Sequence, residues 1–335
     1  MQQGHRVGHF DVGVKMNAPT VSGAIPTPSS HCYQLRLSHV KQSPFAEQVE
    51  AETIAWMFAH QLFLDDSYFK RVKKMEISKY AGYSHPFGDY DALLLFAKYI
   101  TLWLLWDDFV IEKQADTKSL MAEMQQVFEG GLGQPRSKDN YISAWQSIIL
   151  EYLARGASMK FMRRLGRNML IWMQAAAQER ASVFVAKRED FDDYLNRRII
   201  TIGMIPTAQL LELSSHLASD EAACMVLMSM ASAKIVAFSN ELVSVRKDGD
   251  WLNLVNIYQE LQQCSLDDAY LAVVAMHDSA VAQYAALLRG LEPDKQHWGR
   301  YLQYCAEGFS YWHTVCGRYG CAGIHAIVQA PDHVA

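Results

Sequence analysis

The sequence predicts an all-α fold, and three observations carry that prediction. Beyond Pro44, long stretches are nearly free of Gly and Pro and rich in Ala, Leu, Met, Glu and Gln, the residues that lose least on entering a helix. Alternating apolar and polar runs, the mark of half-buried strands, are scarce. Gly and Pro gather instead at Gly82 to Gly88, Gly130 to Pro135, Gly156, Lys247 to Gly249 and Gly290 to Pro293, cutting the chain into about ten helices.

In chain order, residues 1–40 read as an irregular or mobile lead-in, since Pro19, Pro26 and Pro28 stand there among Gly, Ser and Thr. Residues 41–335 read as one α-helical domain, because no linker or composition shift divides them. Many of the helices are apolar around much of their circumference. They are therefore expected to form an antiparallel bundle with a central apolar cavity.

Composition narrows the function. Of the 335 residues, 50% are hydrophobic and 20% charged, which excludes a disordered chain. A net charge of −5, with no run of Lys and Arg, leaves no footprint for nucleic acid. The cysteines at 32, 224, 264, 305, 316 and 321 form no C-x-x-C pair and read as reduced thiols. The N-terminus lacks the apolar core of a signal peptide, and the apolar stretch Ala92 to Trp106 is interrupted by Lys98. A cytoplasmic protein without stable membrane insertion is expected.

The segment FAKYITLWLLWDDFVIEK ends an aromatic helix in two adjacent carboxylates. Helical spacing aligns Phe96, Tyr99, Trp103 and Asp107 on one face, and Glu112 follows about a turn after Asp108. Such an oxygen cluster suits a hard divalent cation bridging carboxylates to phosphates. Asp-Asp pairs also occur at Asp65, Asp192 and Asp267, so a solvated helix end and a plain aromatic core stand as the alternatives. The segment NELVSVRKD places Asn240, Ser244 and Asp248 on one helix face, with Arg246 and Lys247 beside them. Amide, hydroxyl and carboxylate oxygens are hard ligands, and a neighbouring cation could hold a phosphate bound to the metal. The alternative is a polar face near a helix C-terminus, where the basic pair complements the dipole.

Together the two motifs resemble those of the class I terpene synthases in their stand-alone, single-domain bacterial and fungal form. Asp107, Asp108 and Glu112 match the aspartate-rich motif as D-D-x-x-x-E. Asn240, Ser244 and Asp248 match the N-x-x-x-S-x-x-x-E/D triad, with the family's frequent Lys at 247. YLNRRIITIG resembles the segment carrying the diphosphate-sensing arginine, and YWHTVCGRYG the C-terminal Arg-Tyr pair, here Arg318 and Tyr319. Arg197 and Arg198 both fit the sensor, and the offset to Thr201 favours Arg198; its alternative is a salt bridge with Asp192 or Asp193. The resemblance spans roughly residues 90 to 320 and implies the class I terpenoid synthase fold.

What the resemblance implies is a lyase that binds three Mg2+ ions, ionises a linear isoprenoid diphosphate and cyclises it to a hydrocarbon or alcohol. Asp107, Asp108, Glu112, Asn240, Ser244 and Asp248 would hold the metal. Arg198, Asn240, Lys247, Arg318 and Tyr319 would hold the diphosphate, with Asp107, Asp108, Arg198, Arg318 and Tyr319 as the catalytic set. Phe96, Tyr99, Trp103, Ile202, Gly203 and Trp312 would line the cavity, with a carbonyl near Ile202 and Gly203 at a helix break acting on the cation. His313 is expected to point elsewhere, and no side chain is assigned as a general base.

Farnesyl diphosphate is the first choice of substrate and geranylgeranyl diphosphate the second. A prenyl chain-elongating transferase would carry two aspartate-rich motifs, where this chain has one; DYDA at Asp89 does not complete the class II D-x-D-D motif. A non-catalytic bundle would need neither motif intact. An exposed apolar helix face could support a homodimer.

Overall fold

A computed structural model describes residues 33–63, 65–106, 117–131, 140–183, 190–214, 222–248, 253–317 and 324–328. Among them are thirteen helices and a two-stranded parallel sheet. The helices outnumber the ten expected because some boundaries carry no Gly or Pro. Between α2 (Asp66–Met75) and α3 (Ile77–Ser84), Glu76 takes a left-handed φ of 49°, and between α11 (Leu254–Gln262) and α12 (Leu266–Arg289), Gln263 takes 50°. Left-handed backbone at a non-glycine residue leaves no composition signal.

The aromatic helix α4 (Tyr90–Leu105) starts where the Asp89 carboxylate accepts the Ala92 N–H at 2.7 Å. It packs on α1 (Ala46–Ala59), α3 and α6 (Asn140–Ala154). Enclosure on several sides explains why it is apolar all round. Lys98, the one charge in its middle, reaches Glu151 of α6 at 2.7 Å. Helices α5 (Thr117–Phe128) and α7 (Met159–Val183) pack together, and α7 continues onto α8 (Phe191–Thr201) and α9 (Met204–Ser214).

The long helix α10 (Ala222–Asp248) contacts α8, α9, α11, α12 and α13 (Pro293–Val315), so the second motif sits on a helix packed against five others. Met225–Val245 of α10 and Leu266–Arg289 of α12 are long and apolar enough to cross a membrane by length and composition, which the stretch from Ala92 to Trp106 was not. In α10 that apolarity is spent on packing against five neighbours.

Strand β1 (Tyr33–Leu37) pairs in parallel with β2 (Ile324–Val328) and lies inside the segment 1–40 expected to be irregular. That boundary is corrected here: Tyr33, Leu35 and Leu37 are buried in alternation. Just beyond the strand, the buried Glu307 of α13 accepts the backbone N–H groups of Ser38 at 2.5 Å and His39 at 2.8 Å. Burial works to raise the Glu307 pKa, but the His39 side chain and these N–H donors bring it below its ordinary value.

Candidate active site

The first motif is delivered by α4. At Trp106 the backbone is still helical, with φ −56° and ψ −48°, and the chain enters Asp107 from there. Asp107, Asp108, Glu112, Arg318 and Tyr319 lie outside the described residues, as do the side chains of Lys247 and Asp248.

The three candidate aromatics of α4, Phe96, Tyr99 and Trp103, occupy different surroundings. Tyr99 is 0% exposed, and its hydroxyl meets the Thr207 hydroxyl at 3.2 Å. Phe96 borders a cavity of about 690 Å³ at the far, N-terminal end of α4, with His85, Arg155 and Glu212. Trp103 stacks on Trp172 of α7 with ring centroids 5.6 Å apart, and among the described residues its indole N–H is buried without a partner.

The break between α8 and α9 falls at Ile202 and Gly203. Thr201 closes α8, Gly203 takes a φ of 76°, and a Cβ there would collide with the Trp103 indole nitrogen. Gly203 is therefore required both by backbone and by space. Trp172 donates its indole N–H to the Thr201 carbonyl at 2.9 Å and anchors the end of α8.

On α8, Arg198 faces the second motif. Its Nη2 donates to Asn240 Oδ1 at 2.6 Å and its Nε to Glu241 Oε1 at 2.5 Å. Asp192 and Asp193 take no part in this pairing. Arg197 takes a different course: its guanidinium lies over the Tyr194 ring and 3.9 Å from Glu179. Burial alone would lower the Arg198 pKa, but the adjacent Glu241 and Glu179 raise it above the ordinary arginine value. The group carries a fixed positive charge.

Glu241 is the residue the motif reading passed over. It is 1% exposed, and its Oε2 also accepts the Tyr194 hydroxyl at 2.8 Å and the Leu254 N–H at 2.7 Å. It thereby ties α8, α10 and α11 together. Asn253 adds a second tie, donating to the Glu241 carbonyl at 2.8 Å and to Ser244 Oγ at 3.2 Å. Neither residue had a signal in the sequence, because the partners lie on other helices.

Two expectations on α13 are both revised. His313 does not point elsewhere: Ser239 Oγ lies 2.9 Å from its Nδ1 and Asn240 Nδ2 3.4 Å from its Nε2. That face of α13 packs on α10, which spacing along α13 alone does not reveal. Trp312 is 1% exposed, stacks on Tyr80 at 4.0 Å and donates its indole N–H to the Met75 carbonyl at 3.0 Å. Those contacts are those of a packed core side chain.

Asn240 and Ser244 present an amide and a hydroxyl oxygen one turn apart, both engaged by donors rather than by other acceptors. A donor site that accepts an arginine N–H has the polarity a cation needs, and hard oxygens fit a divalent ion. Among the described residues no group of three or more His, Cys, Asp or Glu gathers for a metal.

Residues 98–283 match the family described as terpene synthase family 2, C-terminal metal binding. The chain belongs to this family. The match takes in α4 from Lys98, the first motif, the α8–α9 break and the second motif. This terpene synthase is 22% identical over 259 residues to a (+)-T-muurolol synthase of Roseiflexus castenholzii that cyclises (2E,6E)-farnesyl diphosphate, covering 72% of this chain and 77% of that one. A 4-epi-cubebol synthase of Streptosporangium roseum, also farnesyl diphosphate cyclising, is 22% identical over 265 residues, covering 75% and 79%. A linalool/nerolidol synthase of Streptomyces clavuligerus, in complex with 2-fluorogeranyl diphosphate, shares the fold with a TM-score of 0.73 at 19% identity, covering 84% of this chain and 98% of that one. The fold is thus the all-α class I terpene synthase fold.

Proposed function

We propose that this class I terpene synthase ionises farnesyl diphosphate with Mg2+ and cyclises it to a terpene hydrocarbon or alcohol. The contact of Arg198 with Asn240 carries the reading, because it joins the arginine of one motif to the first ligand of the other. The relatives that cyclise farnesyl diphosphate support the choice of chain length over geranylgeranyl diphosphate.

A diphosphate leaves poorly until its charge is neutralised. Bound Mg2+, held by Asp107, Asp108, Glu112, Asn240, Ser244 and Asp248, would supply the Lewis acidity for that departure. Arg198, with Lys247, Arg318 and Tyr319, would donate to the diphosphate oxygens as the C–O bond breaks and both electrons leave with oxygen. The resulting allylic cation needs a water-free surface, which Trp103, with its π face stacked on Trp172, offers beside the helix break. Loss of a proton, which the released diphosphate can accept, or capture of water completes the product.

Purified protein incubated separately with geranyl, farnesyl and geranylgeranyl diphosphate, with and without Mg2+, tests the reading by gas chromatography and mass spectrometry of the hexane extract. A cyclic product from farnesyl diphosphate that requires Mg2+ is expected. A cyclic product from geranylgeranyl diphosphate alone would replace the substrate, and no product from any would remove the proposal.

A further inference from the structure

A side-chain amide serves a cation through its oxygen and opposes it through its nitrogen, so whatever fixes the Asn240 amide bears on the second motif. One of its neighbours has no choice of role. Arg198 can only donate, and its Nη2 meets Asn240 Oδ1 at 2.6 Å. The amide nitrogen Nδ2 is thereby turned to α13, where it lies 3.4 Å from His313 Nε2.

From there each role is forced in turn. An amide nitrogen donates, so His313 Nε2 must accept and carry no proton. The proton of the neutral ring then sits on Nδ1, which lies 2.9 Å from Ser239 Oγ. Ser239 Oγ accepts it, and the Ser239 hydroxyl donates its own hydrogen to the Val236 carbonyl at 2.9 Å. Donation runs one way, from Arg198 through Asn240, His313 and Ser239 to Val236. The opposite tautomer would set two donors against each other, either at His313 or, with the amide turned over, at Arg198. Ser239 is 0% and His313 2% exposed, so water does not stand in for a missing partner at this ring.

We infer that His313 is a positioning residue for the second motif: held in its Nδ1–H tautomer by Ser239, it keeps the Asn240 amide nitrogen turned to α13 and the oxygen offered to Arg198 and Mg2+. The inference rests on the Mg2+-dependent prenyl diphosphate reading above. Without an acceptor at this place the amide is fixed from the Arg198 side alone, and a buried N–H loses its partner. The partners that orient metal ligands commonly govern metal affinity by about tenfold or more.

The test compares the full-length wild type with His313→Phe, which keeps a ring without an acceptor, and His313→Gln, whose amide oxygen can take the place of Nε2. Ring-nitrogen NMR of isotopically labelled histidine, in protein without metal, reads the tautomer directly. The ring signals lost in both variants should show the proton on Nδ1 and a bare Nε2. Isothermal titration of Mg2+ in the presence of inorganic diphosphate should show affinity about tenfold weaker in His313→Phe and within about threefold of wild type in His313→Gln, with thermal unfolding confirming that both fold. Recovery by glutamine is what a purely structural role for the ring would not produce. A proton on Nε2, an unchanged affinity in His313→Phe, or a folded His313→Gln as weak as His313→Phe each overturns the inference; should His313→Phe not fold, the tautomer decides. A wild type active on a prenyl diphosphate beside an unaffected His313→Phe removes this inference alone, whereas a wild type inactive on every prenyl diphosphate removes the functional reading and this one with it.

Discussion

A buried carboxylate with three donors on it, as Glu241 has in Arg198, Tyr194 and the Leu254 N–H, is costly to disturb from either side. Glu241→Gln keeps the size and one acceptor but leaves the Arg198 charge with less compensation. Urea unfolding should show a loss of about 3 kcal/mol, and turnover should fall with it as Arg198 loses its fixed position. Unchanged stability would show that Glu179 alone neutralises the arginine. The two tryptophans separate in the same way. Trp312→Ala should cost about 3–5 kcal/mol, since its ring is stacked on Tyr80 and its N–H is bonded to Met75. Trp103→Leu should instead alter the product mixture, measured by gas chromatography, because its ring edges the helix break. An unchanged mixture would return Trp103 to the core.

Between elements, α3 and α13 pack closely enough that one glycine is fixed by space. A Cβ on Gly308 would collide with the Tyr83 carbonyl oxygen, which is backbone and cannot swing aside. Gly308→Ala should therefore push the two helices apart and lower stability by about 1–3 kcal/mol in chemical denaturation, with a displaced α13 carrying His313 away from Asn240. A variant as stable as wild type would show that the helices separate without cost. The same scale shows which boundaries were legible. The breaks read at Gly82 to Gly88 and at Gly290 to Pro293 fall just before α4, capped by Asp89, and at the start of α13. The stops at Glu76 and Gln263 were not legible, because tertiary packing holds those residues left-handed against their own preference.

Across the whole molecule, one buried histidine links stability to pH. His85 joins the start of α4 to α9 and α13 through Ser214, at 3.1 Å, and Tyr301. Burial pushes its pKa down to about 3. Above about pH 6.5 the imidazole is neutral in both folded and unfolded chains; below it the unfolded chain takes up a proton that the folded one refuses. Stability should therefore fall as pH drops from about 6.5 toward 3, by up to about 1.4 kcal/mol per pH unit for this group. Tm recorded from pH 7 to pH 5 should slope less steeply in His85→Asn than in wild type, and equal slopes would exclude His85 as the source. The clamp of Glu307 on Ser38 and His39 works at the same scale, holding the strand pair of both chain ends against α13.

The sequence by itself determined the helical class, the position of the two oxygen-rich motifs and the expectation that Asn240, Ser244 and one of the pair Arg197 and Arg198 serve the site. Each of these is a local property, since helix propensity, a period near 3.6 and a motif's spacing are all carried by neighbours in the chain. Only the tertiary structure decided that Arg198 rather than Arg197 meets Asn240, that Glu241 and His313 flank it, and that β1 belongs to the fold. Those facts depend on how α8, α10, α11 and α13 are rotated against one another. Rotation is set by packing summed over many side chains, and no short segment of sequence contains it.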